Sequence, residues 1–396
     1  MRNVWREFRH DASLPAAVAG FVAVLVGYTS SVAIVFQAAQ ALGANAAQTA
    51  SWMWALGLAM GVSCIGLSLA YRAPVLTAWS TPGAALLAAT QGVGLPEATG
   101  AFIVCALLIT AAGASGLFER VMDRVPMAVA AALLAGVLAR FGLDAVLAVR
   151  GAPLLVLAMA AAYLLGRRAW PRYAVPGVLV AGVAVAAAQG RLAMQAVALD
   201  WAHPVWVSPV FSPAAMVGVA LPLFIVTMAS QNLPGVAAQR AAGFRPPISP
   251  VITATGLVTL VLAPFGAYAI NLAAITAAIC MGREAHEQPG RRWPASVFAG
   301  LFYTALGLAG GAVAGLLAAF PRELVAAVAG LALLGTIAGG LAVALKDEHH
   351  RDAAALTFLV TLSGVSIAGI GSAFWGVVAG SVALAVQHWR PAQAQR

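Results

Sequence analysis

The sequence predicts an all-α integral membrane protein of fourteen transmembrane segments in two inverted seven-segment repeats, with segments 3 and 10 each broken into a short β-strand and a half-helix. Three observations predict it. Residues AVILMFWYC make up 62% of the 396-residue chain and charged residues 9%, against about 45–50% and about 25% in an ordinary soluble domain, so the chain cannot cover its own surface in water. Apolar runs succeed one another without the period-2 alternation of outer-membrane strands, which makes the spans helical. Proline, glycine and hydroxyl landmarks recur in the same order in the two halves.

Taking the elements in order, residues 1–13 form a tail carrying Arg2, Arg6 and Arg9, and the span at 14–42 that follows is too long for a signal peptide. The remaining spans fall at 48–71, 74–92, 96–117, 125–147, 152–166, 173–189, 213–232, 249–264, 266–281, 294–319, 322–345, 353–370 and 372–389. The first repeat is therefore 14–189, the connection 190–212, the second repeat 213–389 and the C-terminal tail 390–396. With both tails in the cytoplasm, eighteen of the 22 Lys and Arg residues lie on the cytoplasmic side. Only Arg150, Arg191 and Arg322 then lie outside, and Arg140 lies within a span. This asymmetry is the signature of a multi-pass protein of a bacterial-type inner membrane.

The formal charge of +9 does not imply nucleic acid, because the basic residues stand in small groups between apolar runs and form no stripe. Cys64, Cys105 and Cys280 lie inside apolar segments without metal-ligand spacing and read as small packing residues. There is no HExxH or GxSxG, and the acids and histidines lie at span ends or in loops, so neither an enzyme, a metal nor a cofactor is expected.

The repeat rests on ordered pairs. Pro15 opens span 1 and Pro213 span 8; Pro74 and Pro264 open spans 3 and 10; Pro126 and Pro321 introduce spans 5 and 12; Gly177–Gly182 matches Gly376–Ser381. Seven spans is an odd number, so the second half enters the membrane from the opposite side, a common plan of secondary transporters.

Proline at 82 forbids a regular helix through Pro74–Gly83, because it lacks the amide proton and clashes with the preceding turn. An extended piece from Val75 to Ser80 is expected, then a half-helix from Pro82 and Gly83 capped by Ser80 or Thr81. Its partner begins at Pro264, with Asn271 expected to cap a half-helix through Thr276. Two half-helix N-termini inside the membrane present unpaired amides and positive dipole ends, which favours an anionic or polar acceptor group. Tyr28, Thr29, Ser30 and Ser31 on span 1, and Ser230, Gln231 and Asn232 on span 8 before the expected breaker Pro234-Gly235, are companions of this site. Trp79 and Tyr28 are candidates to stack on an aromatic ligand. Arg140 has two readings, an ion pair with Asp144 one turn on and attraction of a carboxylate.

At these residues the chain resembles the benzoate/proton symporter (BenE-type) family. The likeness lies in GYTSSVAIVFQAA (27–39), YRAPVLTAWSTPGAALL (71–87), LARFGL (138–143), ALPLFIVTMASQNLPG (220–235), NLAAITAAIC (271–280), EAH (284–286) and GIGSAFWG (369–376). The resemblance implies the seven-plus-seven inverted-repeat fold of nucleobase and anion transporters. That fold has a core domain, here 14–117 with 213–319, and a gate domain, 125–189 with 321–389, and holds substrate between spans 3 and 10. Nucleobase symporters of this fold carry glutamates on spans 8 and 10, where this chain has Gln231, Asn232 and Asn271, so a monocarboxylate such as benzoate is favoured over a uracil-like substrate. Import of benzoate with protons is the expected activity. Another small organic anion or a nucleobase-like substrate, by uniport or symport, is the alternative, and whether the chain pairs as a homodimer stays open. No acid lies mid-span in spans 1, 3, 8 or 10, so the proton enters either on the substrate carboxylate itself or through a peripheral relay; the relay is favoured, at Glu97 ahead of His286.

Overall fold

The computed structural model describes residues 2–90, 92–122, 126–170, 174–192, 201–309, 320–365, 367 and 372–388. The chain is almost wholly helical. A short helix α1 (Arg2–Asp11) turns by 93° into α2 (Leu14–Ala41), which Ser13 caps by accepting from the Ala16 amide. Then come α3 (Ala46–Tyr71), strand β1 (Thr77–Trp79), α4 (Thr81–Ala89), α5 (Leu95–Ala114), α6 (Leu117–Met122), α7 (Met127–Leu147), α8 (Pro153–Ala169) and α9 (Ala174–Ala188). The second half holds α10 (Pro213–Ala241), α11 (Ile248–Leu262), β2 (Ile270–Leu272), α12 (Ile275–Met281), α13 (Trp293–Ala309), α14 (Arg322–Ala344), α15 (Arg351–Ser363) and α16 (Ser372–His388). Among the described residues six helices are long and apolar enough to cross a membrane, or seven if α1 and the start of α2 are one bent span.

Small residues set the packing. A side-chain carbon on Gly57 of α3 would stand 2.5 Å from the Cα of Gly307 on α13, so these helices touch backbone to backbone. Helix α11 lies against α5, α14 against α7, α8 against α9 and α15 against both α7 and α16.

Two expectations about span ends are corrected. Helix α10 does not stop at 232 but runs through Pro234 to Ala241. Wide π-turns at Met216–Ala220 and Met228–Asn232 stand directly before Leu221-Pro222 and Leu233-Pro234, with the Leu221 and Leu233 amides reaching back five residues to Met216 and Met228. The widened turn takes up the ring clash and missing donor of each proline. Gly235 is there for approach, since a side-chain carbon on it would meet Leu272 at 2.6 Å. Helix α15 ends at Ser363 rather than 370, because Gly364 takes the left-handed conformation (φ 70°) that closes a helix. The expected spans also cover 91, 125, 173, 310–319, 366, 368–370 and 389, which lie outside the described residues.

Candidate functional site

Strands β1 and β2 pair antiparallel, Thr77 opposite Leu272, Ala78 opposite Asn271 and Trp79 opposite Ile270. A two-stranded ribbon buried this deeply leaves amides and carbonyls without ladder partners, and in an apolar surrounding each must be satisfied. The neighbouring helices do this with side chains. From α3, Cys64 Sγ accepts the Thr77 amide (3.2 Å), Ser63 Oγ bonds Thr77 Oγ1 (2.6 Å) and Ser68 Oγ donates to the Val75 carbonyl (3.0 Å). From α11, Thr259 Oγ1 accepts the Ile270 amide (3.2 Å). From α10, Asn232 Oδ1 accepts the Leu272 amide (2.9 Å) and Gln239 Nε2 donates to the Pro74 carbonyl (2.9 Å).

Each strand feeds a half-helix. Ser80 caps α4 by accepting the Gly83 amide (3.1 Å), and is itself held by the Thr227 hydroxyl, which donates to it at 3.1 Å. Helix α12 begins after Ala274, which makes no side-chain cap bond. Asn271 is therefore not the cap expected from sequence. It lies in β2, fully buried, with Nδ2 on the Ala269 carbonyl (2.9 Å) and Oδ1 without a partner among the described residues. Without a proline to fix the start, as Pro82 does for α4, the second half-helix opens three residues later than its polar residue suggests.

The two half-helix starts meet at a cavity of about 70 Å³, lined by Thr81 on one side and Ala273, Ala274, Ile275 and Thr276 on the other. Tyr28, Trp79, Phe141 and Tyr303 give it an aromatic wall, and Ser31 and Gln231 add polar groups. Trp79 Nε1 donates to Ser31 Oγ (3.0 Å), which donates to the Gly27 carbonyl (2.8 Å). Tyr28 stands edge-on to Trp79 at 4.7 Å and tilted to Tyr303 at 5.8 Å, and its buried hydroxyl has no partner among the described residues.

Of the residues picked from sequence, Tyr28, Ser31, Trp79, Thr81, Gln231 and Thr276 line this cavity together. Ser80, Pro82 and Gly83 build the α4 start behind it, and Ser230 is buried on α10 without reaching the wall. Asn232 turns to β2 instead. The Ser30 side chain lies outside the described residues. Tyr303, Phe141 and Met60 line the cavity but were not picked. A lone aromatic or methionine in an apolar run carries no signal of its own, although Tyr303 is a phenol placed mid-helix in α13.

The three peripheral candidates stand away from the cavity. Arg140 makes no ion pair with Asp144 among the described residues. Both are exposed, and the guanidinium fills the niche beside Gly364, where an added side-chain carbon would lie 2.4 Å from Nη1. Glu97 is half-buried in the first turn of α5. His286 is buried in the loop after α12, its Nδ1 accepting the Gln288 amide (3.0 Å) and its carbonyl accepting from Arg292 Nε (2.7 Å). Arg292 also donates to the Met281 (2.8 Å) and Glu287 (3.0 Å) carbonyls. Burial pulls its guanidinium below the ordinary value, with nearby Glu284 acting the other way. Glu284, 5% exposed, crosses to Arg167 of α8 at 3.2 Å. No group of three or more His, Cys, Asp or Glu able to hold a metal occurs among the described residues.

A bundle of apolar helices around two paired strand–half-helix units is the architecture of a multi-pass membrane transporter. The solved structure of SLC26A9 shares the fold at a TM-score of 0.50 and 13% identity, over 94% of this chain and 65% of that one. The chain belongs to the benzoate membrane transport protein (BenE) family, whose profile matches residues 10–386. It is 52% identical over 373 residues to the inner membrane protein YdcO of Escherichia coli K12, covering 94% of this chain and 95% of that protein. It is 40% identical over 386 residues to the benzoate membrane transport protein of Acinetobacter baylyi, covering 97% and 98%. It is thus a transport protein and not an enzyme.

Proposed function

We propose that the protein imports benzoate or a similar small aromatic carboxylate together with protons, by alternating access across the inner membrane. The observation that carries this reading is the cavity itself, where aromatic side chains face two half-helix starts. The ring of an aromatic acid finds Tyr28, Trp79 and Tyr303. Its carboxylate finds the uncapped first amides of α12, the Thr276 hydroxyl and the Gln231 amide, donors suited to an anion. The name of the Acinetobacter relative supports the same substrate class.

In this reading β1–α4 and β2–α12 are the interrupted spans 3 and 10 of a fourteen-span inverted repeat with both termini cytoplasmic. Residues 14–117 and 213–319 form the core that carries the substrate, and 125–189 and 321–389 form the gate. No carboxylate lines the cavity among the described residues, and we favour a relay outside it over protonation of the substrate carboxylate itself. The sequence puts Glu97 ahead of His286; because His286 is buried two residues from the Glu284 bridge to α8 while Glu97 is half-exposed, we reverse that order and assign the relay to His286. The test is uptake of radiolabelled benzoate into proteoliposomes with and without an inward proton gradient, following internal pH. Accumulation driven by the gradient, lost in His286→Gln and kept in Glu97→Gln, is the expected result. Absence of benzoate uptake removes the reading, and uptake indifferent to the gradient removes its proton part.

A further inference from the structure

The cavity wall comes almost entirely from one of the two proposed domains. Tyr28, Trp79, Thr81, Gln231, Thr276 and Tyr303 lie in the core, residues 14–117 and 213–319, and so does every other described lining residue but one. That one is Phe141 of α7, in the gate. It is half-buried and makes no ring contact with Tyr28, Trp79 or Tyr303 among the described residues, whereas Tyr28 touches both of the other two.

Phe141 is seated by its own domain. Helices α7 and α14 pack together, and a side-chain carbon on Gly330 of α14 would stand 2.6 Å from the Phe141 carbonyl, so the two backbones touch at this residue. Its neighbours in sequence are seated in the same way: Arg140 fills the niche beside Gly364 at the end of α15, and Gly142 faces Ile337 of α14. A ring carried on backbone packed this closely is a firm surface, because a dense interior yields little.

The cavity is also small. Its volume of about 70 Å³ is well below the roughly 300 Å³ at which small-molecule pockets usually begin, so an occupant meets every wall. An aromatic acid whose ring lies against Tyr28, Trp79 and Tyr303 therefore meets Phe141 as well, and a group added to that ring has only the space that Phe141 leaves.

We infer that Phe141 is a specificity-determining residue: it is the gate's contact with the bound ring, and it sets the largest ring substituent that the cavity accepts. The inference rests on the transport reading for its ligand class and adds to it that size selection takes place where core and gate meet.

Competition against radiolabelled benzoate on the purified protein in detergent reads this without transport. The competitors are 4-methylbenzoate, 4-tert-butylbenzoate and 2-naphthoate, and the quantity followed is the affinity of each relative to benzoate. In the parent protein this ratio is expected to fall as the ring substituent grows. Phe141→Ala should raise it for 4-tert-butylbenzoate and 2-naphthoate by about tenfold or more, the discrimination that a single methylene makes in an apolar pocket. Phe141→Trp should lower the same ratios. A Phe141 that only packs would change the affinity for all the acids together and leave the ratios alone. Leu143→Ala, on an exposed side chain of the same helix, should leave them alone as well. Should Phe141→Ala fail to elute as folded protein, Phe141→Leu carries the same expectation in smaller measure. Unchanged ratios in variants that still bind benzoate, or ratios that Leu143→Ala shifts equally, would overturn the role of Phe141 and leave the transport reading standing. A parent protein that binds none of the four acids would remove the transport reading, and the selectivity with it.

Discussion

Replacing Asn232 with leucine distinguishes a residue that holds the ribbon from one that touches substrate. Asn232 is fully buried, and its Oδ1 accepts the amide of Leu272, itself 2% exposed, at 2.9 Å. Leucine keeps the branched shape of asparagine but is larger, so the substitution opens no cavity; it orphans a backbone amide, and crowding by its two methyl groups adds to the loss. A buried donor left without a partner costs about 1–3 kcal/mol. The same strand leads into Ala273–Thr276 on the cavity wall, so part of that loss will appear as weaker substrate binding. Gln231 is one residue away but half-buried on the cavity wall, and Gln231→Leu is expected to leave stability within about 0.5 kcal/mol of the parent. It should instead weaken apparent affinity about tenfold, the value of one hydrogen bond to a charged group. Thermal unfolding of the purified proteins in detergent, together with the KM for uptake, reads both quantities. Asn232→Leu unfolding at the parent temperature with a raised KM would refute the reasoning, because the ribbon bond would then be idle and the side chain in contact with substrate.

Three further outcomes are expected. Single cysteines at Ala202 and Gln288, in a background without Cys64, Cys105 and Cys280, should label from opposite sides of the membrane, and labelling from one side would remove the inverted repeat. Arg167→Ala should destabilise more than Glu284→Gln in chemical unfolding, by about 1–3 kcal/mol against under about 1 kcal/mol. The first strands a 5%-exposed carboxylate, the second a guanidinium whose 43% exposure lets water replace its partner, and equal losses would contradict this. Near the N-terminus, burial opposes ionisation of Asp11, but bonds from His10, Trp293 and Arg291 outweigh it and hold its carboxyl below the usual value. The docking of α1 that Asp11 provides is therefore complete above the ordinary aspartate value of about 3.9 and lost as pH falls through the lowered one. Proteolytic clipping of α1 should rise in that acid window and be independent of it in Asp11→Asn.

What the amino-acid sequence made legible follows from what is locally encoded. Apolar runs of span length mark the helices, and α3, α5, α7 and α14 begin and end within a few residues of the runs that predict them. The α4 start was legible because Pro82 excludes helix before it and Ser80 is a strong capping residue. No such punctuation marks α12, whose start depends on where β2 pairs with β1, a contact almost 200 residues apart that no local pattern encodes. Pro234 was read as a break because a proline inside a helix usually is one. Whether the turn before it widens instead depends on what packs around it, here Leu272 against Gly235. Of the α10 residues singled out as companions of the site, Ser230, Gln231 and Asn232, only Gln231 lines the cavity. Asn232 and Gln239 serve the edges of the ribbon, a need that follows from burying two short strands among helices. Arg140 shows the limit of helical spacing as evidence: Asp144 is one turn away, but the space left by a left-handed glycine on α15 takes the guanidinium.

The central claim is that an aromatic carboxylate lies between the Tyr28–Trp79 pair and the start of α12. Crystals grown with 4-bromobenzoate test it most directly, through the anomalous signal of the bromine. The account predicts a bromine peak against the Tyr28, Trp79 and Tyr303 rings, with carboxylate density reaching the amides of Ile275 and Thr276. A fully occupied ligand whose carboxylate points away from α12, or a central cavity left empty at saturating ligand, would contradict it.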